Sequence, residues 1–281
     1  MNTIPIIDSH VHLWDINKLK YPWLENVGDI QRSFFIQNYQ EATDNYNIQK
    51  IVVVQADCSP EQTLEELQFI EEQQKTDQRI QAFIAYLPLE DKQETEATLS
   101  YYSQHKIVKG VRKMFDQQPE IAKTANFINN TKTLAKYGLT LDLCLIPASI
   151  PYVFDLLDNC PEITIIIDHL AKPAIAESGF EEFVKNMEAL SKYPNVIAKL
   201  SGLLTEAKWH QWKVSDLKPY IDYALKVFGP DRIIFGSDWP VLTLAGDFDE
   251  WVTSLFDIFK IMSEKDKMKI FYTNALSVYN L

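Results

Sequence analysis

The sequence predicts an α/β protein, a (β/α)₈ or TIM barrel in which residues 1–281 form a single domain. The first observation is an alternation of short β-branched apolar runs with segments of helix length, which is typical of βαβ units in one parallel sheet. The chain length of 281 residues is close to the ~250 of such barrels. Polar residues also cluster directly after the apolar runs, where the carboxyl ends of barrel strands meet and where catalytic groups lie.

The first half of the chain supplies four of the eight predicted strands. The run that begins at Ile6 is followed by a long loop at 15–37, and loops of this length often carry binding residues. The run 51–54 is continuously β-branched, which favours a strand covered on both faces, and Pro60 then lies in the first turn of a helix. Further strands are predicted at 80–86 and 108–112, and further helices at 39–46, at 93–104 and within 119–137.

The second half repeats this alternation and brings the count of strands to eight. Gly138 is expected to end a helix before the next strand, because glycine readily adopts the left-handed conformation found at helix ends. No shift in composition and no low-complexity linker divides the chain, so one domain is predicted. Strands are predicted at 139–143, 163–167, 196–200 and 233–235, and helices at 152–157, 180–191 and 220–228.

Composition argues against several classes of function. A formal net charge of −12 disfavours nucleic acid and anionic membranes as partners, because both attract basic surfaces. No apolar run approaches the ~20 residues of a membrane span, and the amino terminus lacks the basic and apolar segments of a signal peptide. We therefore expect a cytoplasmic protein. Cys58, Cys144 and Cys160 show no CxxC spacing and are predicted to be buried apolar residues.

A His-x-His pattern at the end of the first strand is the centre of the predicted site. Alternate side chains of a strand point to the same face, so His10 and His12 can converge on one point. Two neutral imidazoles aimed together suit a divalent cation or a carbonyl oxygen that needs hydrogen-bond donors. The alternative is one core and one surface histidine. Barrel closure places the first and eighth strands side by side, which brings His169 and Asp238 toward the pair; Asp238 could instead cap a loop beside Gly236.

Residues near other strand ends are candidates for contact with a substrate. Arg112 and Lys172 could bind ring hydroxyls or a carboxylate, since arginine offers a planar fork for the latter. Either could instead pair with a structural carboxylate such as Asp142 or Asp168. Three tryptophans could present a flat surface to a sugar ring or serve packing alone. The tryptophans are Trp14, Trp23 and Trp239, and Gln55, which follows the second strand, is a further candidate for substrate binding.

Four motifs, taken in order along the chain, resemble the amidohydrolase superfamily. They are Asp8-Ser9-His10-Val11-His12-Leu13-Trp14, Asp168-His169-Leu170-Ala171-Lys172-Pro173, Lys199-Leu200-Ser201-Gly202 and Phe235-Gly236-Ser237-Asp238-Trp239-Pro240. More narrowly, the chain resembles the branch of sugar-lactone hydrolases, which includes fuconolactonase-like and pyrone-dicarboxylate lactonase-like enzymes. The resemblance implies a barrel with a hydrolytic site at its carboxyl-terminal mouth. By motif match it also assigns the first-strand pair to His10 and His12, the sixth-strand histidine to His169 and the eighth-strand aspartate to Asp238.

The chain departs from the two-metal members of this superfamily, which have a bridging lysine on the fourth strand and a histidine on the fifth. Here the fourth strand offers Lys109 or Lys113 without a clear bridge, and the fifth offers Asp142. A binuclear site is therefore not expected. Two arrangements stay open, namely one divalent ion, for which zinc is expected, and no metal at all. The ligands would be His10, His12 and Asp238, with His169 nearby.

The resemblance implies a hydrolase that opens the ester bond of a small lactone, with a sugar-acid lactone as the expected substrate. Hydrolysis needs a polarised carbonyl, an activated water and a proton for the leaving oxygen. Asp238 is expected to act as the base, and the three histidines to polarise the carbonyl with or without one metal ion. Two alternatives stay open: metal-dependent decarboxylation of an aromatic or enol acid, and a silent barrel that binds a sugar acid. The expected partner is a small-molecule lactone, and a homodimer is a candidate assembly.

Overall fold

Eight parallel strands form one sheet in sequence order, so the predicted (β/α)₈ barrel is confirmed. The computed structural model describes residues 4–281, and residues 1–3 of the predicted domain lie outside the described residues. The strands are β1 (Ile6–Val11), β2 (Ile48–Val54), β3 (Ile80–Tyr86), β4 (Val108–Met114), β5 (Thr140–Cys144), β6 (Ile165–Ile167), β7 (Val196–Leu200) and β8 (Ile233–Phe235). Each pairs in parallel with the next, from β1–β2 to β7–β8.

The barrel closes where β1 meets the segment that follows β8. Val11 and Trp239 form a parallel bridge, and the N–H of His12 donates to the Trp239 carbonyl at 2.7 Å. The buried carboxylate of Asp8 accepts from the N–H of Ser237 at 2.8 Å. These contacts join the two ends of the sheet at a seam, which is how residues from opposite ends of the chain come together.

Helices cover the outside of the barrel, as the alternation predicts. Gly138 follows the fourth helix with φ of 65°, the left-handed helix end expected of it. Helices after β8 were not predicted from the sequence. The helices are α1 (Ile36–Thr43), α2 (Thr63–Thr76), α3 (Lys92–Tyr102), α4 (Ala125–Tyr137), α5 (Ile150–Asn159), α6 (Phe180–Ser191), α7 (Val214–Phe228), α8 (Phe248–Ile258), α9 (Glu264–Met268) and α10 (Asn274–Val278), with a π-helical turn at Lys269–Thr273.

Two apolar layers hold the strands in place. A large one packs the strands against the helices, and a smaller one fills the barrel interior with side chains such as Val52, Ile84 and Ile234. Tyr279, which follows α10, packs into the inner layer. The β-branched runs are thus buried on both faces, as a parallel sheet requires. The three cysteines are buried and unpaired, as predicted.

The predicted long loop after β1 is ordered by its aromatic residues. Trp14 and Phe34 form an antiparallel bridge, and their rings pack edge to face at 5.2 Å. Two short 3₁₀ turns lie between them, at Pro22–Asn26 and Gly28–Ile30. The loop therefore folds back over the carboxyl-terminal side of β1. Within residues 4–281, no helix combines the length and the apolarity that crossing a membrane requires.

Candidate active site

The two histidines of β1 converge at the carboxyl end of the barrel. The Nε2 atoms of His10 and His12 lie 3.1 Å apart, and both residues are buried. His12 Nδ1 lies 2.9 Å from the carbonyl oxygen of Val54. Because a carbonyl oxygen only accepts, this nitrogen carries the proton and His12 Nε2 keeps a free lone pair.

Asp238 joins this pair across the seam. Its N–H donates to the carbonyl of His10 at 2.8 Å, and its left-handed backbone, with φ of 65°, turns the side chain toward the histidines. Oδ1 lies 3.5 Å from His12 Nε2 and 3.7 Å from His10 Nε2. Burial by itself would raise the pKa of Asp238, but the attraction of His169 and the hydrogen bond with His12 outweigh it and hold the pKa well below its usual range. Asp238 is therefore ionised at neutral pH.

His169 lies beside the pair at the end of β6. Its ring centroid is 4.5 Å from that of His10, and its Nδ1 lies 2.9 Å from the hydroxyl oxygen of Ser201. Burial lowers the pKa of His169 to about 4, so the ring is neutral at neutral pH. Gly202, with φ of +65°, makes room for this side chain, since a Cβ there would lie 2.5 Å from His169 Nδ1.

A layer of buried charges lies beneath the histidines. The ammonium of Lys199 contacts Asp142 Oδ2 at 2.5 Å and Asp168 Oδ1 at 2.9 Å. Arg112 Nε donates to Asp168 Oδ2 at 2.9 Å. Burial would raise the pKa of Asp168, but Lys199, His10 and Arg112 outweigh it and hold the pKa well below its usual range. Two cations thus face two carboxylates, so this layer is electrically balanced.

A cavity of about 240 Å³ opens above these groups. His12, His169 and Asp238 line its floor. Its walls carry both signs of charge and an apolar side, which suits a small ligand with several polar groups. The cations are Arg112 and Lys172, the additional carboxylates are Asp57 and Asp116, and the apolar residues include Trp23, Met114 and Val241.

Three residues expected to bind substrate do not line this cavity. Trp14 is fully buried, and its indole N–H donates to the Arg32 carbonyl. Trp239 is also buried and packs against Phe34. Gln55 is buried, and its side-chain oxygen accepts from the N–H of Asp57. Phe34 of the loop after β1 packs against both tryptophans, and Gln55 bonds to the backbone just past β2, so these three side chains serve local packing and are left out of the proposed binding site.

Other residues of the site had no role assigned from the sequence. Asp57 and Asp116 follow β2 and β4 and reach the cavity wall. Lys199 stands in one of the motifs, yet its contacts with Asp142 and Asp168 were not anticipated. A lysine inside an apolar strand is a detectable signal, because a buried ammonium requires carboxylate partners. Arg112 was predicted either to bind substrate or to pair with a structural carboxylate. In the structure it pairs with Asp168 and also lines the cavity.

The donor atoms at the cavity floor fit a single divalent ion. His10 Nε2, His12 Nε2 and Asp238 Oδ1 are separated by 3.1, 3.5 and 3.7 Å. Tetrahedral zinc with bonds of about 2.0–2.2 Å would place its ligand atoms roughly 3.3–3.6 Å apart. Among the described residues these three form one of two clusters able to hold a metal; the other combines His10 with Asp168 and His169. Asp168 already bonds two cations, so the first cluster is the better site.

Comparisons with known proteins show which families and folds the chain resembles. The sequence profile of a family described as amidohydrolase matches residues 7–281. An L-fucono-1,5-lactonase from Burkholderia multivorans is 28% identical over 264 residues, covering 89% of this chain and 87% of that protein. An L-rhamnono-gamma-lactonase from Scheffersomyces stipitis is 24% identical over 342 aligned positions, covering 100% of both. A crystal structure of a Burkholderia multivorans amidohydrolase with bound zinc superimposes with a TM-score of 0.90 at 26% identity, covering 98% of this chain and 99% of that one.

Proposed function

Because the chain belongs to the amidohydrolase family, we propose that it is a hydrolase that opens the ester bond of a sugar-acid lactone. The observation that carries the proposal is the convergence of three buried imidazoles on the ionised carboxylate of Asp238, with His12, His169 and Asp238 at the floor of a small cavity. The similarity to two sugar lactonases supports the same reaction. The cavity is smaller than the ~300–1,000 Å³ of sites for drug-sized ligands, which suits a single ring.

The side chains divide the work of hydrolysis between them. Asp238 accepts a proton from the attacking water and returns it to the ring oxygen that leaves. His169 lies beside the carbonyl and donates a hydrogen bond to the oxygen that gains charge. His10 and His12 would hold a divalent ion through Nε2 together with Asp238. Without an ion, polarisation of the carbonyl falls to His169, because the Nδ1 proton of neutral His12 is donated to the Val54 carbonyl and its Nε2 has no proton to donate. An ion held there, for which zinc is the candidate, would supply Lewis acidity to the carbonyl and to the water.

The charges of the cavity favour a neutral polyhydroxyl ring over a dicarboxylate. Arg112 already pairs with a buried carboxylate, which leaves Lys172 as the less committed cation on the wall. Asp57 and Asp116 line the same cavity and would repel a second anionic group, whereas they can accept hydrogen bonds from sugar hydroxyls. A neutral lactone of a sugar acid meets both requirements.

The test is a screen of sugar lactones with a pH indicator, before and after chelation, with the metal content measured. We expect turnover of at least one five- or six-membered sugar lactone, and a loss of turnover in Asp238→Asn with substrate binding retained. Asp222→Asn, which changes an exposed carboxylate on α7, is the matched control and should keep full activity. Tight stoichiometric metal without lactone turnover would favour a decarboxylase instead. Binding without turnover in the unmodified protein would favour a silent barrel.

A further inference from the structure

His10 Nδ1 lies between a hydrogen-bond donor and a hydrogen-bond acceptor. Lys199 Nζ is 3.2 Å away and can only donate a hydrogen bond. Asp168 Oδ1 is 3.4 Å away and, when ionised, can only accept one. All three residues are fully buried, so bulk solvent does not reach His10 Nδ1. A neutral imidazole carries one proton, and its position on the ring decides which neighbour is satisfied.

The hydrogen-bond partners of Lys199 favour one of the two ring forms. Its ammonium has three hydrogens, and three acceptors surround it, namely Asp142 Oδ2, Asp168 Oδ1 and His10 Nδ1. If His10 Nδ1 carried the proton, the third hydrogen of Lys199 would face another N–H. With Nδ1 unprotonated, Lys199 donates hydrogen bonds to Asp142 Oδ2 and His10 Nδ1, while its charge pairs with Asp168 Oδ1, which accepts no hydrogen bond in the described residues.

The same choice completes a chain of hydrogen bonds through the site. With its proton on Nε2, His10 donates to His12 Nε2 across the 3.1 Å gap. His12 Nε2 is free to accept, because its Nδ1 proton is already given to the Val54 carbonyl. Lys199, His10, His12 and Val54 thus form a consistent donor-to-acceptor series. In this series, however, His10 Nε2 carries the proton and therefore has no lone pair with which to bind a metal ion.

We propose that Lys199 is a positioning residue that holds His10 in the Nε2–H form, and that metal binding requires the proton of His10 to lie on Nδ1 instead, facing Asp168. Lys199 therefore opposes metal binding and Asp168 favours it. The inference rests on the metal site in the proposed function, but not on lactone turnover. It identifies the contact that sets how readily this barrel takes up a metal ion.

Nitrogen-15 NMR of the metal-free protein tests the ring form directly. Long-range proton–nitrogen correlations distinguish a protonated from an unprotonated ring nitrogen, and the His10 signals are assigned by their absence from His10→Gln. We expect an unprotonated Nδ1 and a protonated Nε2 on His10. A protonated Nδ1 in the unmodified metal-free protein overturns the proposal, and this measurement needs no variant of Lys199.

Zinc affinity provides the second test, measured by competition with a chelator of known affinity. Loss of a cation could tighten zinc binding by charge alone, so Lys199→Met is combined with Asp142→Asn, which keeps the buried charge balanced. We expect this double variant to bind zinc about tenfold more tightly than the unmodified protein, in line with the roughly 10–100-fold effects of groups that orient metal ligands. Asp142→Asn alone keeps Lys199 and is the matched control; it should show no such gain. A double variant that binds zinc no more tightly than the unmodified protein refutes the proposal, and neither readout depends on finding the substrate.

Discussion

Replacing Lys199 with methionine should destabilise the fold far more than removing an exposed ion pair. Lys199 and both of its carboxylate partners have fully buried side chains, and Asp142 also accepts from the Tyr279 hydroxyl at 2.8 Å. Removing one partner of a buried pair leaves an uncompensated charge and costs about 3–5 kcal/mol. We therefore expect Lys199→Met to lower the free energy of unfolding by this amount.

Urea unfolding followed by tryptophan fluorescence measures this loss. Lys218→Met is the control, because it removes an exposed i,i+4 pair with Asp222 and should cost no more than about 0.5 kcal/mol. Adding Asp142→Asn to Lys199→Met should recover part of the loss, since the buried charge is balanced again. A loss below about 1 kcal/mol in Lys199→Met would show that the layer tolerates an unpaired buried carboxylate and would contradict the expected cost.

Three further predictions concern other groups around the barrel. Burial raises the pKa of Glu66 to about 7 from an ordinary 4.5, so its contribution to stability is fully present below pH ~4.5 and is lost as the pH rises through about 7. In urea titrations, the free energy of unfolding of Glu66→Gln should therefore rise by roughly 3 kcal/mol relative to that of the unmodified protein across this pH range. A difference that stays constant with pH would contradict the shift. Gly202→Ala should lower kcat at least tenfold, because the added Cβ displaces His169; unchanged steady-state kinetics would argue against that crowding. Asp57→Asn should raise KM for a sugar lactone about tenfold, as the loss of a charged hydrogen-bond partner of ~1.5 kcal/mol implies, with kcat nearly unchanged; a drop in kcat alone would place Asp57 in the chemistry instead.

The strands could be predicted from sequence because buried parallel strands leave a simple signature. The run at Ile165–Ile167 is entirely β-branched, the run at Val196–Leu200 is apolar apart from Lys199, and every residue of both is buried. The meeting of His10 with Asp238 followed from barrel closure alone. Boundaries shifted where tertiary contacts extend a strand, as in β2, which begins at Ile48 rather than at residue 51.

The parts of the site that could not be predicted depend on conformations that leave no periodic signal. Asp57 and Asp238 have positive φ angles, which turn their carboxylates in directions that strand alternation cannot give. Trp14 and Trp239 lie within two residues of His12 and Asp238 in sequence, yet the loop after β1 packs against them and neither side chain lines the cavity. The inward orientation of Lys199 could have been predicted. It lies two residues after the inward-facing Ile197 of the same strand, and residues two apart share a face.

The position of the site on the seam has a consequence for how the protein acquires activity. His10 and Asp238 face each other only after the first and last strands have met, and that contact bridges nearly the whole chain, so it carries the largest loop-closure cost in the sheet. A refolding chain can thus regain its helices while the residues of the proposed site are still apart. The return of turnover during refolding reports the moment at which the ring of strands closes.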